Sequence, residues 1–336
     1  NTILAVFGYD DIIAKSLDLV RDETPVGKWM NNISAYTIWW LLMHVDLYRT
    51  RGNLEYLREQ RDYLCGILEI FCDLVDEDGS EKLPDIRLLD WPNHDNPKAE
   101  HAGFQGLLKM ALDNGAYLLN ILGETELAKK CLTVSERMKK HIPDPDGSKA
   151  AASMLVLSGL ADAKEINDTV IAPGGAHGFS TFFSYYILKA KAMAGDMEGA
   201  LNDMKTYFGG MLSVGATTFW EDFNIDWLEN AAPLTEPVPE GMRDIHGDFG
   251  GYCYVNFRHS LCHGWASGPC PFLSHFVLGV QALAPDTYEV KPNLSYLDWA
   301  RGTYPTPCGN IEVDIRKVDG ETVVDIKAPE GIKIVR

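Results

Sequence analysis

The sequence predicts an all-α ring of helical hairpins, an (α/α)6 barrel incomplete at its N-terminus, followed by a small C-terminal antiparallel β domain. Three observations carry this reading. Near-identical joints recur at Gly52-Asn53, Gly123-Glu124 and Gly195-Asp196, roughly 70 residues apart, each a glycine and a polar residue opening a new helical pattern. Short connections alternate with long ones along the chain. Near residue 286 the apolar period drops from that of a helix to two.

In chain order, residues 1–7 read as the end of a buried helix, and the chain as the C-terminal part of a longer protein. A helix over 10–22 stops at Thr24-Pro25, where the proline restricts the residue before it. Residues 33–51 are strongly apolar, whereas 53–75 carry a one-sided stripe (Leu54, Leu57, Leu64, Leu68, Phe71). Helical patterns follow over 100–122, 124–141, 148–159, 162–169, 178–194, 196–209 and 264–281. The segments entering short joints are the apolar ones, as inner helices are; those leaving them are amphipathic, as outer helices are. Six inner and five outer segments make a ring that lacks its first outer helix. An open helical solenoid is the alternative. Long connections then share one face and gather Trp29, Trp91, Trp220, Trp227, His94 and His177. The expected domains are a barrel over 1–282 and a β-sandwich-like unit over 283–336, whose runs at 288–291, 311–315, 323–326 and 332–335 alternate.

A net charge of −18 excludes nucleic acid and anionic membrane as partners, since both demand a basic face. A neutral sugar is compatible with that charge, being held by stacking and hydrogen bonds. Seven cysteines form no CxxC pair; Cys65, Cys72 and Cys131 fall on apolar stripes as buried thiols, and Cys262 and Cys270 are left open as a pair. No cofactor is expected. His259 and His263 are four apart, but no third ligand stands at a suitable spacing, so no metal is expected either.

The stretch 213–228 sets Glu221 between Trp220 and Asp222, behind Gly215 and Thr217-Thr218. A carboxylate among aromatics suits sugar cleavage, because ring faces stack on sugar C–H faces while an acid or base works alongside. Gly-Ala-Thr-Thr-Phe-Trp-Glu at 215–221, Ser-Leu-Cys-His-Gly-Trp-Ala-Ser-Gly at 260–268 and the β tail, supported by Leu-Leu-Asp-Trp-Pro at 88–92, resemble the α-L-rhamnosidases of glycoside hydrolase family 78. The resemblance covers essentially this whole chain, but only the C-terminal portion of a usual family member, without its N-terminal β domains.

It implies inverting hydrolysis of terminal α-L-rhamnose in an (α/α)6 barrel. By motif position Glu221 is the expected general base, His263 a contact to sugar hydroxyls, and Trp91 and Trp220 apolar walls. Asp90, Trp265 and Asp222 are further expected substrate contacts. The family's general acid lies in a motif upstream of this chain, so a missing N-terminal segment of the same protein is an expected partner, and residues 1–336 alone are expected to be nearly inactive. Trp39 and Trp40 are adjacent on an inner helix, so only one faces a pocket; Tyr36, His101, Asp244, His246 and Asp248 are secondary candidates. Two rivals stay open. One is another (α/α)6 sugar enzyme, a glucuronyl hydrolase or polysaccharide lyase, which would want basic loops. The other is a non-catalytic helical-repeat module, which would have no aromatic pocket.

Overall fold

The structure, a computed structural model, describes residues 2–84 and 86–336. Residue 1, at the start of the first expected helix, lies outside them. Helices α1 (Thr2–Val6), α2 (Asp11–Glu23), α3 (Ser34–Arg51), α4 (Leu54–Glu59) and α5 (Arg61–Asp73) are followed by a 26-residue α6 (Pro97–Leu122) and by α7 (Thr125–Met138). Then come α8 (Lys149–Leu157), α9 (Ala163–Ile166), α10 (Ser184–Met193), α11 (Met197–Ser213) and a short α12 (Pro269–Phe272).

The glycine joints behave as their chemistry requires. Gly52 and Gly123 end α3 and α6 in the left-handed conformation, with φ of 66° and 84°. Asn53 and Asp196 then cap the next helices, their side chains accepting from Tyr56 and Gly199 N–H groups. The expected outer helix over 53–75 is two helices, α4 and α5, joined at Gln60. Gln60 is fully buried, and its side chain bonds Asp18 and Arg21 of α2.

Helices α3, α6, α8, α10, α12 and α1 pack each on the next as an arc, with α5 and α7 outside α6 and α11 outside α10. Its core is apolar and continuous, running from Ile38 and Leu41 through Leu107, Leu112 and Leu155 to Ile187 and Phe183. The seam between α1 and α3 is instead occupied by a cavity of about 1060 Å³, lined by α1, α2, α3, α10 and α12 residues.

Two expected segments fail. The chain over 178–183 is not helical, and α10 begins only at Ser184. The expected helix over 264–281 breaks into a 3-10 turn (Gly264–Ala266), α12 and a π turn (Leu273–Val277). Gly264, Gly268, Pro269 and Pro271 explain this: the prolines remove backbone donors and the glycines favour no helix.

Strands β1 (Ala231–Ala232) and β2 (Arg243–Asp244) make a short parallel pair in the loop after α11. The C-terminal unit holds β3 (Val280–Ala284), β4 (Thr287–Val290), β5 (Trp299–Thr306), β6 (Gly309–Val318), β7 (Glu321–Lys327) and β8 (Lys333–Val335). Its two three-stranded sheets, β3-β4-β8 and β5-β6-β7, are antiparallel except for the parallel β4–β8 pair. Strand β3 crosses the expected domain boundary at 282/283. A separate core of Val280, Tyr288, Tyr304, Ile311 and Val313 includes Ala5 of α1, so this unit packs on the helical part at α1.

Candidate active site

Glu221 is positioned by its backbone before its side chain is considered. Its N–H donates to the Ser260 carbonyl at 2.8 Å, and His263 N–H donates to the Phe219 carbonyl at 2.7 Å, which zips 219–221 against 260–263. Its carbonyl accepts from Thr181 Oγ1 (2.6 Å) and Trp265 Nε1 (2.9 Å). The peptide is thus tied to two other loops.

The two carboxylate oxygens are not equivalent. Oε2 accepts from Ser260 N–H at 2.7 Å, while Oε1 faces His263 Nε2 at 3.6 Å, too long for a hydrogen bond. His263 Nδ1 accepts from Trp265 N–H at 3.3 Å, so a neutral ring carries its proton on Nε2, toward Glu221. The side chains are 19% (Glu221) and 34% (His263) exposed, enough for a ligand to reach both. Chemically this is a fixed carboxylate with one oxygen free to take a proton, beside a ring N–H that can donate to a hydroxyl.

Two further carboxyls stand close by. Asp90 is 6% exposed, caps the turn Trp91–Asn93, and accepts from Trp91 N–H and Ser180 Oγ–H. Burial pushes its carboxyl up to about 7, against the downward pull of the Ser180 and Trp91 bonds. Asp222 is pushed to about 6, again first by burial, with Phe223 and Gly251 N–H groups opposing and the Glu221 charge adding. Trp91 lies over Asp90's turn, stacked at 28° on Tyr252 (centroids 6.1 Å apart) and edge-on to Tyr254 (5.8 Å).

The structure brings Asp90, Trp91, Glu221, Asp222, His263 and Trp265 into one neighbourhood. It does not bring Trp220. That indole is 1% exposed and packs edge-on against Phe223, so it has no face left for a ligand and the expectation of a wall there is corrected. Trp40 is likewise core, 1% exposed and bonded to the Leu17 carbonyl. Yet it and Trp39, which packs on Phe182 and Tyr186, both contribute to the cavity wall, so the expectation that only one of the pair faces a pocket is corrected. Tyr36 lines the same cavity; burial and then the charges of Asp90 and Glu221 raise its phenol. Glu221 and His263 are not among that cavity's walls, although Trp265, bonded to Glu221, is.

His101 is turned elsewhere, onto Glu81 and His141. Asp244 Oδ1 accepts from His246 and Gly247 N–H groups, and Asp248 from Asp244 N–H, so these residues build a turn. His259 is 2% exposed, and burial, then His246, lowers it to about 4, keeping it neutral at ordinary pH. Among the described residues no three His, Cys, Asp or Glu side chains gather as a metal site. Cys262 and Cys270 are both free thiols.

Sequence reasoning missed Ser180, Thr181, Tyr252 and Tyr254. Only the tyrosines had a signal: Gly250-Gly251-Tyr252-Cys253-Tyr254 sets two aromatics after a glycine pair.

Comparison with solved structures gives this geometry its context. No protein-family model matches the chain, and neither does any curated protein. A glycoside hydrolase family 78 rhamnosidase of Bacillus sp. GL1 matches 97% of this chain with 36% of its own, at 23% identity and a TM-score of 0.74. An α-L-rhamnosidase from Dictyoglumus thermophilum matches 98% of this chain with 39% of its own (15% identity, TM-score 0.76). A Streptomyces avermitilis α-L-rhamnosidase, solved with L-rhamnose, matches 88% with 28% of its own (14%, 0.66). The chain therefore spans between 28% and 39% of these structures, and its fold is similar to that of the matching part of these rhamnosidases.

Proposed function

We propose that a longer protein containing this chain hydrolyses terminal α-L-rhamnosides with inversion, and that Glu221 is its general base. The observation that carries this is the asymmetry of the Glu221 carboxylate: Oε2 is held by Ser260 N–H and Oε1 is left open opposite His263 Nε2. Oε1 takes a proton from a water as that water's oxygen bonds to the anomeric carbon. The glycosidic C–O bond breaks on the opposite face, and the departing oxygen takes a proton from the acid. An inverting pair leaves roughly 6.5–9.5 Å between its carboxyls for the water. His263 Nε2–H bonds a sugar hydroxyl, Trp91 and Trp265 supply apolar faces, and Asp90 and Asp222 frame the pocket.

The fold fits a six-hairpin ring in which a helix N-terminal to Thr2 fills the seam between α1 and α3. In this reading that upstream segment also supplies the acid. Asp90 supports a second reading, in which the acid is already in this chain, because a carboxyl held at about 7 keeps its proton near neutrality. Alkyl rhamnosides separate the two, since an alkoxide leaves only with acid help. Turnover by residues 1–336 that is lost in Asp90→Asn favours Asp90; turnover only by the longer protein favours the upstream acid. In either case Glu221→Gln lowers kcat about 10²- to 10⁴-fold, and a mutant rate equal to wild type refutes the base assignment. Proton NMR of the first product anomer tests inversion.

A further inference from the structure

Tyr252 is in an unusual position. Its φ is 58°, the left-handed region that bulky residues avoid, and Asn256 and Phe257 in the same loop share it, at 54° and 65°. Such strain persists where the surroundings impose it. Burial does not repay it here, because Tyr252 is 47% exposed.

The loop is nevertheless firmly held. Gly251 N–H faces the half-buried Asp222 carboxylate. A side chain at Gly250 would place its Cβ 1.8 Å from the Tyr254 carbonyl oxygen, so the chain folds back on itself in a way only glycine allows. Tyr254 is 3% exposed beneath, edge-on to Trp91, with the Arg258 guanidinium 5.8 Å from its ring. One face of Tyr252 lies along Trp91, and the ring still reaches solvent. The ring stands beside the Asp90–Trp91 turn, where the second reading places the acid, and an acid works on the leaving-group side.

We propose that Tyr252, seated on Trp91, is a ledge for the leaving-group side of the substrate, binding a flat ring attached to the departing oxygen. This rests on the reading of Glu221 as the base of a glycosidase. The ring is either an aryl group or the next sugar, since both offer a flat apolar face to a tyrosine.

The test is isothermal titration of residues 1–336 with phenyl β-D-glucopyranoside, methyl β-D-glucopyranoside and L-rhamnose. Tyr252→Gly removes the ring and relieves the backbone, so its melting temperature equals or exceeds wild type. It weakens phenyl glucoside about tenfold, Tyr252→Phe changes it less than twofold, and L-rhamnose binding is unaltered by either. Loss of the phenyl probe alone identifies an aryl ledge; equal loss of the methyl probe identifies a sugar ledge. Phenyl glucoside binding that is absent from wild type, or undiminished in Tyr252→Gly, overturns the proposal. If it is Tyr252-dependent while L-rhamnose fails to bind, or binds equally well in His263→Ala, the ledge stands and the rhamnose reading of the Glu221 site falls.

Discussion

Asp90 couples the site to stability through its proton. The unfolded chain holds this carboxyl near 3.8 and the fold raises it to about 7. Below 3.8 both states are protonated and the group contributes nothing. Between 3.8 and 7 the unfolded chain releases a proton that the folded chain keeps, so stability falls as pH rises, and the full penalty stands above 7. The raised value corresponds to a cost on the order of 4 kcal/mol. Asp90→Asn, which keeps a side chain able to bond Ser180, is expected to melt several degrees above wild type at pH 8 and level with it at pH 3.5. A variant equally or less stable at pH 8 shows that Asp90 is not held as a buried acid. Of this residue set, Asp90-Trp91, Glu221 and His263 were named from short motifs that carry the family resemblance, and the structure sets them close together. Trp220 misled because its motif is local, but its burial against Phe223 is decided by tertiary packing. Ser180, Thr181 and Tyr252 meet the site only through long-range contacts, and no period or spacing announces those.

At the scale of elements, glycines decide how closely helices approach. On α6, an added Cβ at Gly103 would lie 2.1 Å from Leu89 Cδ2, at Gly106 2.5 Å from the Met154 backbone, and at Gly115 2.4 Å from Leu68 Cδ2. Gly106 is the rigid case, because backbone of α8 cannot swing aside as a leucine tip can. Gly106→Ala is expected to cost about 1–3 kcal/mol by overpacking. Gly209 on α11 is the reverse: an added Cβ there meets nothing within 4 Å, and its φ is ordinary for a helix. Gly209→Ala is expected to gain about 0.5–1 kcal/mol from helix propensity. Urea titration of the two variants checks both signs, and a destabilising Gly209→Ala refutes the account. The same contrast explains which elements could be read in advance. Helices α2, α3, α6 and α11 have side-chain or glycine caps, α7 has a one-sided apolar stripe, and the ends of all five fall within a few residues of expectation. Segment 264–281 has apolar spacing without helix-forming backbone, and there Pro269, Pro271 and two glycines prevail over the pattern.

For the molecule as a whole, the arc of inner helices matters most where it stops. Its seam holds the cavity of about 1060 Å³, walled by apolar side chains such as Ile12, Val20, Trp39 and Met43, of which Ile12 is 56% and Val20 38% exposed. Asp46 and Lys189 also line it; burial, only partly offset by mutual attraction, raises the carboxyl and lowers the ammonium. Apolar side chains open to water in such a cavity can take up an apolar probe. Residues 1–336 are therefore expected to bind an anilinonaphthalene sulfonate dye in the native state, with emission that survives gel filtration and precedes any thermal transition. Ile12→Lys combined with Val20→Lys is expected to cut that emission by half or more while leaving the far-ultraviolet circular dichroism unchanged. A longer chain that supplies the helix proposed for the seam should stay dark with the same dye, because the helix takes the same surface. Native residues 1–336 that fail to light the dye show a closed seam, and a longer chain that lights it equally shows that the upstream segment docks elsewhere.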